Sequence, residues 1–155
     1  MSRLPYVRTF RDLVVYQKAR ALAKRIFEIS KTFPPEERYA LTDQVRRSSR
    51  AIGAQIAEAW AKRRYEKHFI SKLTDADGEQ QETQHWVETA FDSGYLSAEV
   101  RDELVGQCQE IGRLLAGMIA KSDRFCGTIE PTLREPGPAY HTNSELDEFF
   151  LPTDH

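Results

Sequence analysis

Only two cysteines, Cys108 and Cys126, occur in the 155 residues, and they form no C-x-x-C pair. Both fall in or beside one predicted helix, so neither a disulfide framework nor a zinc site is indicated, and they read as small buried hydrophobes. No apolar run approaches the roughly 20 residues that a membrane span requires, which excludes a membrane partner at this level. The first ten residues hold no apolar h-region and no small-residue cleavage site, so the reading is a cytoplasmic protein. A glycine-rich phosphate loop, a G-x-S-x-G elbow and a cysteine beside an activating base are all missing, and Gly106, Gly112 and Gly117 are too dispersed to cradle a nucleotide. The expectation is a chain without catalytic apparatus or cofactor.

What is present is charge and helical periodicity. The length suits one domain with its own core, and 40% hydrophobic with 30% charged residues is the composition of amphipathic helix. A net charge of −2 conceals a division. Residues 1–72 carry 17 Lys and Arg against 7 Asp and Glu, while residues 73–155 carry 5 against 17. Such a split marks either separate surfaces for separate partners or basic helices packed beside acidic ones that neutralise them.

The first amphipathic helix runs from Phe10 to about Lys31, with Leu13, Val14, Leu22, Ile26 and Ile29 on its apolar side. Thr32-Phe33-Pro34-Pro35 ends it, because proline removes a donor and pushes its predecessor out of the α region. Pro35-Glu36-Glu37 opens a second helix whose stripe is Leu41, Val45, Ser48/Ser49, Ile52, Ile56 and Ala59/Trp60. Ser49, Gly53, Ala57 and Ala61 form a ridge of small side chains beside it, along which another backbone can come close. A third helix spans about Tyr65 to Phe91. Its centre, Asp77 to His85, has no apolar residue, so either the helix breaks at Asp77-Gly78 or a polar core position meets a polar neighbour; continuity is preferred, because Gln80 and Thr83 keep the step between Ala76 and Val87. Ser93-Gly94 and Ser97 provide a stop and a new start, and Val100, Leu104, Cys108, Ile111, Leu115 and Met118 define a fourth helix. Four such segments with short joints make an all-α, antiparallel up-down four-helix bundle over residues 10–126, preceded by an arm at 1–9.

After Gly127, prolines at 131, 136, 138 and 152 and six acidic groups against one arginine describe a disordered acidic C-terminal tail over 127–155. Its end, Leu146-Asp-Glu-Phe149-Phe150-Leu151, joins acid to apolar anchors. It suits a partner's groove or the basic face of its own domain, or it is merely a solubilising tail.

Three clusters are candidates for function. Arg46, Arg47 and Arg50 sit on one side of the second helix, and Lys62, Arg63, Arg64 and Lys67 gather with Trp60 and Tyr65 at its end. Guanidinium groups that neutralise phosphates beside rings that stack on bases are a recipe for binding RNA or DNA; a basic face that covers an acidic protein partner explains the same residues. Glu58, embedded in Ile56-Ala-Glu-Ala-Trp60, needs a hydrogen-bonding partner if buried, and the polar centre of the third helix offers Gln80, Gln81 or Thr83, with Glu82 nearby, as a structural polar network. Glu82-Thr-Gln-His85 has the E-x-x-H spacing of di-iron bundles, but no second such motif exists, so no metal is expected.

The ordered run Phe10-Arg-Asp-Leu13-Val-Val-Tyr16-Gln17-Lys-Ala19, Phe33-Pro34-Pro-Glu36-Glu-Arg-Tyr39-Ala-Leu41, Gln44-Val-Arg46-Arg47 and Ile56-Ala57-Glu58 resembles the four-helix-bundle family encoded within 23S rRNA intervening sequences. Phe69-Ile-Ser-Lys-Leu-Thr-Asp-Ala76-Asp-Gly78-Glu-Gln-Gln-Glu82-Thr and Gly94-Tyr95-Leu96 extend the likeness over about residues 8–125. The resemblance implies a homopentameric ring. It also implies kinship with a basic accessory protein of diversity-generating retroelements, which binds nucleic acid and a reverse transcriptase, and it places Arg46, Arg47 and Arg50 on the face offered to phosphates. Where the family commonly has Asn-Ile-Ala-Glu-Gly, this chain has Gln55-Ile-Ala-Glu58-Ala59, so the second helix is expected to run on. The acidic tail lies outside the match.

Overall fold

Thr9 begins the first turn among the described residues. Its hydroxyl accepts from the Arg11 N–H (3.2 Å) and its own N–H donates to Asp12 Oδ2 (2.9 Å), a capping box that shapes Phe10–Asp12 into a 3-10 turn. The structure is a computed structural model and describes residues 9–126 and 145–153; most of the expected N-terminal arm, and residues 127–144 of the expected tail, lie outside the described residues.

Helix α1 (Val14–Ser30) buries Val15, Ala19, Leu22 and Ile26, a four-three-four step. After Pro34 the chain does not enter a helix at once, as the sequence suggested. A 3-10 turn (Pro35–Glu37) is followed by a π turn (Arg38–Thr42), whose wider loop lets the adjacent Leu41 and Thr42 both face inward before α2 (Asp43–Ala61) starts. Ala59 is fully buried and α2 runs two residues beyond it, as the missing glycine led one to expect.

Helix α3 (Glu66–Asp92) passes through Asp77-Gly78 unbroken. Phe69, Leu73, Ala76, Gln80, Thr83, Val87 and Ala90 are its buried residues, so the polar centre occupies core positions. Thr83 donates to Ser48 Oγ of α2 (2.8 Å), which donates on to the Val45 carbonyl (3.3 Å). Gln80 donates to Asp77 Oδ1 (2.9 Å) and accepts from Gln84 Nε2 (2.7 Å). The buried Gln80 and Thr83 thereby each meet a partner, which is what makes them tolerable there. Gly94, at φ +83°, ends α3 in the left-handed conformation that glycine adopts without strain, and Tyr95 N–H closes the cap on the Ala90 carbonyl (2.9 Å). Ser97 Oγ then accepts from Val100 N–H (3.1 Å) and starts α4 (Ala98–Ala120), which buries Leu104, Cys108, Ile111, Leu114, Leu115 and Met118. The one-turn α5 (Ser122–Phe125) follows. Each helix packs on its chain neighbours and α4 closes on α1, giving the expected four-helix bundle.

The end of the tail departs from expectation. Residues 145–149 make a 3-10 turn that buries Leu146 and Phe149, and Phe150 forms an antiparallel bridge with Leu13. Leu151 N–H donates to the Asp12 carbonyl (2.7 Å). Phe125 packs against Trp60, Phe69, Phe149 and Phe150, with ring centroids 5.5 to 6.4 Å apart. Glu145 pairs with Arg124, and its carbonyl accepts from Lys121. Burial of Leu146 and Phe149 with Phe150 packed half-buried beside them, reinforced by the Arg124–Glu145 ion pair, outweighs in this segment a composition that suggests disorder. Of the docking alternatives the seat is on the chain's own domain, yet at the end of the bundle rather than on its basic face.

Candidate nucleic-acid interface

Because α1 and α2 run antiparallel, Tyr16, Arg20, Ala23 and Phe27 of one lie beside Ala57, Gly53, Arg50 and Arg46 of the other. The small ridge keeps this seam shallow. A Cβ at Gly53 would stand 3.5 Å from the Tyr16 ring, an ordinary contact. An open groove of about 420 Å³ results, lined by both arginines 20 and 50 and closed at one end by Phe10 and Tyr16, whose rings meet edge to face at 4.8 Å. At the other end Arg46 and Arg50 both lie over the Phe27 ring, 4.7 and 5.4 Å from its centroid. Arg46 Nε also donates to Ser30 Oγ (2.7 Å). Arg20, Lys24, Arg46 and Arg50 make no ion pair among the described residues.

Arg47 does not join them. At about 100° per residue it turns away from Arg46 toward α3, where it pairs with Glu79 (3.4 Å) and Glu82. Glu82 also accepts from Trp86 Nε1 (2.9 Å); that bond, and then the one from Arg47, hold its carboxyl below the usual range, and Glu82 in turn raises the Arg47 guanidinium. The three arginines therefore divide between two seams. Neutralisation by acidic helices also claims Arg25, which forms a two-bonded pair with Glu103 of α4 (2.8 and 3.0 Å).

At the far end of α2 the second cluster is also divided. Arg63 folds over Trp60 (4.0 Å to the centroid) and donates to its carbonyl (2.8 Å), and burial pushes its guanidinium down. Trp60 is further enclosed by Phe125 and Phe150, so it offers no open stacking face. Lys62, Arg64 and Lys67 are exposed, and the ring left available among them is Tyr65, 59% exposed.

The polar network expected around Glu58 does not form. Glu58 lies on the exposed rim of α2 and pairs with Lys72 (3.2 Å), because Ile56 and Ala59 on either side take the inward directions. Gln80 is satisfied within α3, Glu82 belongs to the Arg47 pair, and the contact between helices is made instead by Ser48 and Thr83. His85 lies against Trp86 (4.8 Å), and no group of three metal-binding side chains gathers among the described residues. Burial pushes the Cys108 thiol up to about 12 and, with Glu66, that of Cys126 to about 11, so neither is a ready nucleophile at neutral pH. No described helix is long and apolar enough to cross a membrane. Sequence reasoning did not single out Arg20, Lys24 or Phe27 as site residues; their spacing from Tyr16 along one edge of α1 was the available signal.

The model of the 23S rRNA-intervening sequence protein family matches residues 11–117. The chain belongs to that family. A crystal structure from Bacteroides thetaiotaomicron, of a protein with unknown function from the S23 ribosomal protein family, is 31% identical and superposes with a TM-score of 0.63, covering 69% of this chain and 96% of its own. No curated protein matches the chain. The family match ends inside α4, so α5 and the docked tail segment lie outside the matched residues.

Proposed function

We propose that this family member is a non-catalytic, oligomeric bundle that binds nucleic acid through the α1–α2 face. The supporting observation is the set of four cations there, Arg20, Lys24, Arg46 and Arg50, that no described carboxylate neutralises. Arg46 and Arg50, one helical turn apart and steadied by Phe27, present two guanidiniums side by side, a form suited to phosphates. Lys62, Arg64 and Lys67 extend the positive surface toward the other end of α2. The family's association with 23S rRNA intervening sequences agrees with an RNA ligand. A homopentamer, the assembly implied by the family resemblance, would multiply the surface and strengthen binding through avidity. The runner-up is a scaffold whose basic face receives an acidic protein.

Filter binding against RNA and DNA from about 50 to 200 mM salt tests the reading. Affinity should fall with salt at a slope of about −0.9 per duplex phosphate contacted, or about −0.7 per single-strand phosphate. Absence of binding at the lowest salt would remove it in favour of the scaffold. Light scattering on the same samples reports the assembly.

A further inference from the structure

We infer that the α1–α2 groove receives an unpaired nucleobase, with the adjoining phosphates held by Arg20 and Arg50, which makes single-stranded nucleic acid the preferred ligand class. This rests on the nucleic-acid reading and specifies it. Phosphate contact alone requires only a convex basic surface, whereas this seam is a groove of about 420 Å³ with both arginines among its lining residues. That volume exceeds the needs of one inserted side chain and falls within the range of small-molecule sites. Its walls suit a flat ring. Ser49, Gly53, Ala54 and Ala57 stand back from the seam, and Phe10 and Tyr16 close one end with an edge-to-face pair at 82°. The surroundings also select the occupant's charge. Arg20 and Arg50 have no carboxylate partner among the described residues, and Arg46 continues the positive edge. The segment from Leu146 to Leu151, acidic and aromatic though it is, is not a competitor, because Leu146 and Phe149 are buried at the end of the bundle. A nucleotide satisfies both demands in one unit, a planar base beside an anion, and every base has a π face to offer.

The test compares three probes by fluorescence anisotropy on the full chain: a single-stranded RNA 12-mer, the same backbone made abasic, and a blunt duplex. The base-bearing strand should bind about tenfold or more tightly than the abasic one. Ala57→Leu, which fills the groove without altering charge, should abolish that difference and leave the salt slope and duplex binding unchanged. Arg20→Gln should lower the salt slope for the single strand and leave the fold intact, so the proposal does not depend on one variant folding. Equal affinity for base-bearing and abasic strands would overturn the groove assignment while leaving phosphate binding standing. Failure of all three probes would overturn both. A fall in particle mass for Ala57→Leu in light scattering would show that a second copy fills the groove, and would also overturn it.

Discussion

Helix α2 has two flanks, and they are built differently. Toward α3 it is packed tightly, with the Ser48–Thr83 hydrogen bond at the core and Arg47 tied to Glu79 and Glu82 at the rim. Toward α1 it presents small side chains, a groove and arginines with no acidic partner. Arg46 and Arg47 are adjacent in the chain yet fall on opposite flanks. The contrast teaches that a surplus of positive charge locates no interface by itself; what matters is which cations the fold leaves without a carboxylate.

Enlarging a side chain at each flank should separate them most widely. Ser48→Leu, in the tight seam, loses a buried hydrogen bond and overpacks, and should destabilise by about 3 kcal/mol in denaturant titration. Ala57→Leu at the open seam should change stability by less than about 0.5 kcal/mol. Similar losses at both positions would erase the distinction. Next in size is binding: Arg46→Ala with Arg50→Ala should weaken nucleic-acid affinity about tenfold or more at 50 mM salt and reduce the salt slope by about two, whereas Arg47→Ala should change affinity by less than about threefold. A comparable loss from Arg47→Ala in filter binding would put the ligand on the other flank.

A smaller effect sharpens the packed side. Thr83→Val keeps the shape and removes the hydroxyl that donates to Ser48, and should cost about 1 kcal/mol, read as a lower denaturant midpoint with an unchanged slope. Smallest is the acid dependence of the Arg47–Glu82 pair. The folded carboxyl titrates below its ordinary range, so its stabilisation is complete above the unfolded value of about 4.3 and is lost as pH falls through the lower folded value. Because both side chains are partly exposed, Glu82→Gln should remove less than about 1 kcal/mol of this acid-dependent stability, seen as a flatter decline of thermal midpoint below pH 5.

The bundle was legible because heptad spacing survives a change of chemistry. Gln80 and Thr83 could be placed in the core of α3 although both are polar, since they hold the three-four step between Ala76 and Val87. Glu58 could not be placed by the same means. Its neighbours Ala57 and Ala59 are alike in sequence, and only the packed helix distinguishes the inward alanine from the outward glutamate. The arginine cluster was misjudged as a single group because adjacency in sequence separates side chains by about 100° on a helix. The docked end of the tail, residues 145–153, escaped the sequence reading for a different reason. Average composition registers the prolines and acids of a long segment, while six residues from Leu146 to Leu151 contain the apolar spacing that seats it.

That seat also determines how the molecule would meet mechanical load. Phe150 bridges Leu13, and Leu151 holds the Asp12 carbonyl, so two distant stretches of polypeptide are clasped at a single point. Tension applied between residues 9 and 153 would reach this clasp before it reached any helix. The four helices would bear the pull only after the clasp had opened, which makes it the molecule's first mechanical fuse.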